Sequence, residues 1–130
     1  MKHMICSTIL VVWIMPPSST MAFIQFHAGF KRLYITEKTP TEFETLIDET
    51  RCAICHDSTK KKPSGSLNKK FRNPYGEALD ELLDKGDKKD KLKIQEALKK
   101  VANQKYLDYD KTYGKRIENY QLPYDVPIYE

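Results

Sequence analysis

A chain of 130 residues is the length of one domain, and its 22 basic and 18 acidic residues are mixed along it, giving a formal net charge of +4. That mixture lacks the single concentrated basic face of a nucleic-acid-binding domain, so no nucleic-acid partner is expected. A chain this short buries only a modest core, to which a large apolar cofactor would add usefully.

Taken in chain order, the first segment reads as a secretory signal peptide. Lys2 supplies a positive start, residues 5–15 are an uncharged apolar run, Pro16 and Pro17 interrupt it, and Thr20 and Ala22 are small residues where a signal peptidase reads. The run is too short for a permanent bilayer span, and no second such run follows, so no membrane span is expected after processing. A retained N-terminal anchor is the alternative. Cys6 stands too early in the run for lipid attachment. Cleavage after Ala22 assigns residues 1–22 to the signal peptide and 23–130 to the domain. The four Met residues, Trp13, His3 and Cys6 then leave with the peptide, as does one basic residue, for a net charge near +3. The domain keeps two cysteines, Cys52 and Cys55, two histidines, His27 and His56, and no methionine.

Residues 23–34 are aromatic-rich and fit helical or extended spacing equally, with Gly29 arguing against a long helix. The first clear helix starts after Pro40, with Thr41 and Glu44 spaced as a capping box, and its face of Phe43, Leu46, Ile47 and Ile54 runs on into Cys52-Ala53-Ile54-Cys55-His56. Residues 57–72, rich in Lys, Ser, Gly and Pro, read as an exposed loop. Asn73-Pro74 opens a second helix striped by Tyr75, Ala78, Leu79, Leu82 and Leu83 and ended by Gly86. A third helix begins at Asp87 and Asp90, with Ile94, Ala97, Leu98 and Val101 on one face. Thr112 caps a short fourth carrying Tyr113 and Ile117, and the tail from residue 120 is expected to be extended. The expected fold class is all-α, with about four short helices.

The chemistry rests on Cys-x-x-Cys-His. Two thiols three residues apart on a helical turn can each add to a haem vinyl group, and the imidazole that follows is carried under the iron; this is the attachment signature of c-type haem. Covalent attachment allows a small chain to hold a large cofactor. Competing readings are weaker. A structural zinc site needs four ligands, and the domain offers only Cys52, Cys55, His56 and His27 with no second paired motif; a thioredoxin-like pair belongs beside a strand–helix–strand pattern, and a disulfide across two residues is possible but strained. The cofactor expected is therefore one covalent haem c on Cys52 and Cys55, with His56 as proximal ligand. Export agrees with this chemistry, because bacteria attach such haem after export.

The sixth ligand is less determined. With no Met left in the domain, the choices are His27, a Lys, a Tyr, water or an open position; His27, among Phe23, Phe26 and Phe30, is the expected distal ligand. Tyr75 and Tyr113 each begin a Tyr-Gly pair in the first turn of a helix. Either the two helices simply start alike, or both rings bind the haem edge or a propionate, and both are carried as candidate cofactor-binding residues. Lys60, Lys61, Lys62, Lys69, Lys70 and Arg72 surround the loop after the motif, as a solvated loop or as a basic rim that steers an acidic redox partner. Lys85, Lys88, Lys89, Lys91 and Lys93 read as ordinary helix solvation. Beyond the haem motif no cluster of acid, base and nucleophile suggests an enzyme.

The chain resembles the small monohaem c-type cytochromes of planctomycetes and anammox bacteria over most of its length. The resemblance is carried by Leu33-Tyr34, Cys52-Ala53-Ile54-Cys55-His56, Arg72-Asn73-Pro74-Tyr75-Gly76 with Ala78-Leu79, residues 93–98, Tyr113-Gly114 and Leu122-Pro123. It implies a compact helical cytochrome, often paired as a homodimer or heterodimer with a related subunit, in the periplasm or an equivalent compartment, the anammoxosome in an anammox bacterium. It also implies a low-potential haem that transfers electrons or binds a small gas such as nitric oxide or carbon monoxide. Relatives of this kind are thought to use His and Cys as axial ligands; once Cys52 and Cys55 are thioethers, no cysteine remains here to serve.

Overall fold

A computed structural model of the chain describes residues 20–107 and 110–125. Among these are five helices and no strand: α1 (Thr20–Tyr34), α2 (Thr41–Thr50), α3 (Pro74–Asp80), α4 (Lys91–Ala102) and α5 (Tyr113–Glu118), with 3-10 turns at Arg51–Ile54 and Lys85–Lys89. The all-α expectation holds at this level, with one helix more than predicted. The predicted signal peptide covers residues 1–22, of which residues 1–19 lie outside the described residues.

The additional helix is α1. Gly29 does not break it, because Gly29 is where α1 lies against α4: a Cβ there would stand 3.0 Å from Ile94 Cγ2 and 3.6 Å from Leu98 Cδ1. The helix accepts a glycine that costs about 1 kcal/mol in propensity, since the missing side chain lets two helices pack closely. Phe30 is buried from this helix, and the Tyr34 hydroxyl donates to the Leu98 carbonyl at 3.3 Å. Burial pushes that phenol up to about 12.

Helix α2 starts at Thr41, but Pro40 holds the capping position and no side chain closes the cap, so the expected Thr41–Glu44 box does not form. Nor does α2 run smoothly into the cysteine motif. Arg51 breaks it with φ 47°, a left-handed conformation uncommon for a residue with a side chain, and a 3-10 turn follows. Phe43 and Ile47 are buried as predicted, while Leu46 is exposed.

The other helix starts follow the sequence closely. Asn73 Oδ1 accepts from Gly76 N at 2.9 Å with Pro74 at the first helical position, Asp90 Oδ1 accepts from Lys93 N at 3.0 Å, and Thr112 Oγ1 accepts from Lys115 N at 3.2 Å. Helix α3 ends at Asp80, before Gly86, and Asp87 belongs to the turn ahead of α4, where it and Asp84 cap one another. Helix α4 is the central element: Ile94, Ala97, Leu98 and Val101 are all buried on the predicted face, and α1, α3 and α5 each pack against it. Residues 57–72 form a mostly exposed loop pinned by isolated antiparallel bridges, His56 to Arg72 and Lys61 to Leu67. No helix among the described residues is long and apolar enough to cross a membrane.

Candidate cofactor site

The cysteine motif is a tight turn held from two sides. The Cys52 carbonyl accepts from Cys55 N at 3.2 Å and from His56 N at 3.0 Å, which fixes Cys52, Cys55 and His56 relative to one another. The returning chain then clamps it: Asn73 N donates to the Cys55 carbonyl at 3.1 Å, and Asp57 N to the Phe71 carbonyl at 3.2 Å. The buried Asn73 side chain completes the clamp, its Nδ2 donating to the carbonyls of Ala53 at 3.2 Å and Ile54 at 3.0 Å. One residue therefore caps α3 and holds the motif against it. Its neighbour Gly76 makes the approach possible, since a Cβ there would fall 1.9 Å from the Cys55 carbonyl oxygen.

Cys52, Cys55 and His56 all line one cavity of about 310 Å³, at the lower end of ordinary ligand pockets. Its wall is mainly apolar, from Phe26 and Phe30 of α1, Ile54, Leu79 and Leu83 beside α3, and Leu98 of α4. Charged side chains also border it: Arg51, Lys69, Arg72 and Lys88, with Asp80 and Asp84. Arg72 pairs with Asp80 at 2.7 Å.

The protonation state of these groups follows from that setting. His56 Nδ1 lies 3.2 Å from the Phe71 carbonyl, an acceptor that calls for a proton on Nδ1 and so leaves Nε2 with its lone pair. Burial holds the His56 imidazole below its usual value, with Arg72 and Lys69 adding to the effect, so the ring is neutral as a metal ligand must be. Burial also pushes the Cys55 thiol up to about 12, with Cys52 reinforcing it. Among the described residues no three His, Cys, Asp or Glu side chains gather into a metal cage. What the turn offers is two thiols and one oriented imidazole against an apolar wall, a donor set that fits a haem fixed by two thioethers and ligated by His56 Nε2.

The remaining candidates divide. His27 lines the same cavity, but its Nε2 lies 3.4 Å from the Ile47 carbonyl and 3.6 Å from Asp48 Oδ1, which tie it to α2. Asp48 is itself held by Lys31 at 2.8 Å, and this ion pair keeps its carboxyl below the usual range. Tyr75 and Tyr113 are not on the cavity wall. They are buried, meeting one another edge to face at 5.2 Å between ring centroids, which is the arrangement of two helix starts packed together. Lys69 and Arg72 of the basic loop reach the cavity, whereas Lys60 reaches towards the ring of Phe71.

Sequence reasoning missed several site residues. Lys88, read as solvation, borders the cavity, and Lys93, read likewise, pairs with Asp87 at 2.6 Å. Asn73 announced itself only as a helix cap; its hold on the cysteine turn had no local signal. Compared with protein-family models, curated proteins and solved structures, the chain matches none of them.

Proposed function

We propose that this chain is an exported c-type cytochrome that passes single electrons through one haem covalently attached at Cys52 and Cys55. The observation that carries the reading is the convergence of Cys52, Cys55 and a His56 imidazole with its Nδ1 turned to the Phe71 carbonyl on one apolar cavity. The bound haem supplies an iron that alternates between ferrous and ferric states. Everything else is the work of the chain. Cys52 and Cys55 anchor the porphyrin, and His56 Nε2 ligates the metal while the Phe71 carbonyl keeps the ring from rotating. Phe26, Phe30, Leu79, Leu83 and Leu98 exclude water and lower the local dielectric. Cations at the edge of the cavity, Lys69, Arg72 and Lys88 among them, draw an acidic redox partner into register over it.

His27 decides between two forms of this function. Bound to iron, it saturates the metal and favours electron transfer at low potential, without the thioether ligand that raises it. Were His27 to keep its contacts with the Ile47 carbonyl and Asp48 instead, the sixth position would be open to a small gas, and nitric oxide or carbon monoxide binding is the second reading.

Optical and EPR spectra of the holoprotein, with and without nitric oxide, test both. A six-coordinate low-spin spectrum indifferent to nitric oxide, and altered by His27→Ala, is the result for an electron carrier with a bound His27. A nitrosyl spectrum that forms readily and is unaffected by His27→Ala favours the gas-binding form. A pure protein with no haem absorption defeats both.

A further inference from the structure

The loop at residues 57–72 departs from the mixed charge of the rest of the chain. It holds six basic side chains and one acidic, Asp57, so it alone carries +5 where the whole chain carries +4. From Ser58 to Arg72 there is no acidic residue, and five of the six cations are lysines. Lys60, Lys61, Lys62 and Lys70 are exposed, and none of them forms an ion pair among the described residues. Elsewhere lysines do pair, Lys31 with Asp48 at 2.8 Å and Lys93 with Asp87 at 2.6 Å.

The loop is ordered as well as charged. Lys62 N donates to the Ser66 carbonyl at 2.8 Å, Gly65 N to the Lys62 carbonyl at 2.9 Å, and Asn68 N to the Lys60 carbonyl at 2.8 Å. Gly65 turns the tip at φ 79°, which glycine adopts without strain. Phe71 is fixed at its own backbone, its N donating to the Asn68 carbonyl at 3.2 Å and its carbonyl accepting from Asp57 N. From that root Phe71 stands 47% exposed between Lys70 and Arg72, with Lys60 Nζ 6.0 Å from its ring centroid. One exposed ring is ordinary. An exposed ring rooted among unpaired lysines is the combination that seats at a membrane interface, the ring entering the acyl boundary and the amines meeting lipid phosphate.

An acidic protein surface would also attract such a loop, but the choice of cation separates the two partners. Protein interfaces favour arginine, whose planar fork pairs carboxylates bidentately, and are poor in lysine. Clustered lysines without a fixed geometry suit a diffuse anionic surface instead. We propose that residues 57–72 dock this protein on an anionic lipid surface, with Phe71 entering the headgroup layer and Lys60, Lys61, Lys62 and Lys70 lying against lipid phosphates. The protein then lies on the membrane, and no helix among the described residues crosses it. Docking of this kind needs nothing from the cavity, so it holds or fails apart from the haem reading.

The test sediments the secreted, processed protein with vesicles of equal parts phosphatidylglycerol and phosphatidylcholine, and with phosphatidylcholine alone, at low salt. It binds the first and not the second, and salt at about 0.5 M releases most of it. Each lysine near an anionic surface adds about fivefold in affinity, so a triple variant, Lys60→Gln with Lys61→Gln and Lys62→Gln, binds about a hundredfold more weakly. Phe71→Ala binds about tenfold more weakly. Phe71→Trp, which keeps an interfacial aromatic, binds like the wild type. Lys89→Gln with Lys91→Gln, an exposed pair outside the loop, leaves binding unchanged. Failure to bind phosphatidylglycerol vesicles overturns the proposal and returns the loop to an acidic protein partner. Equal losses in the loop and control variants, or a Phe71→Ala variant that binds like the wild type, also overturn it.

Discussion

Gly76 faces the carbonyl of Cys55 so closely that a Cβ on it would lie 1.9 Å from the oxygen, a contact no side chain can occupy. The obstacle is backbone, held in turn by Asn73 N at 3.1 Å, and cannot move aside without loosening the cysteine turn. Gly76→Ala is therefore expected to destabilise the protein by about 3 kcal/mol, the upper end of ordinary overpacking, as read by denaturant melts. Gly114→Ala, whose Cβ would stand 2.8 Å from the Ala102 carbonyl, meets a milder clash and loses less.

Asn73 serves two elements with one side chain, and two substitutions separate its roles. Asn73→Ala removes the α3 cap together with both bonds to the Ala53 and Ile54 carbonyls, a cost of about 2–4 kcal/mol at this buried position. Asn73→Asp keeps the acceptor for Gly76 N and loses the two donors. Its helical circular dichroism at low temperature should match the wild type, while its melting temperature falls and haem incorporation in a maturing host drops.

Acid should weaken the fold through its paired carboxylates. Asp48, beside Lys31, and Asp125, bonded to Tyr106 and Arg116, are both held below the ordinary value of 3.8 in the folded chain. The unfolded chain binds protons first as pH falls, so this stabilisation is complete above about pH 5 and is lost as pH drops through the folded values. Both groups are well exposed, so the loss is gradual and smaller at high salt. The alkaline side has the opposite sign. Burial raises Tyr34 and Tyr106 from 10.0 to about 12, so stability is full below pH 10 and declines as pH rises towards 12. A phenolate absorbance titration should show these tyrosines ionising late, and together with unfolding.

What could be read from the chain and what could not divide along a physical line. Capping is local chemistry, so Asn73-Pro74, Asp90 and Thr112 marked helix starts correctly, and the buried stripe of α4 followed from its spacing. The cysteine turn was legible for the same reason, its residues being neighbours in sequence. Gly29 misled because its helix is stabilised from outside, by contact with Ile94 and Leu98 some 65 residues on. The cavity wall also defied reading: Leu98, Phe30 and Lys88 belong to three separate elements, and only packing brings them to Cys52 and His56. Tyr75 and Tyr113 show the converse, a shared local pattern whose outcome was mutual packing away from the cavity.

The central claim is covalent haem on Cys52 and Cys55, and the mass of the intact protein tests it most directly. The chain is secreted from a bacterial host able to mature c-type cytochromes, denatured, extracted with acidic organic solvent and weighed. The account predicts polypeptide plus one haem, retained through extraction, with the added mass mapping to the peptide that holds both cysteines and lost in a Cys52→Ala, Cys55→Ala double variant. Folded, secreted polypeptide of unaltered mass would contradict it.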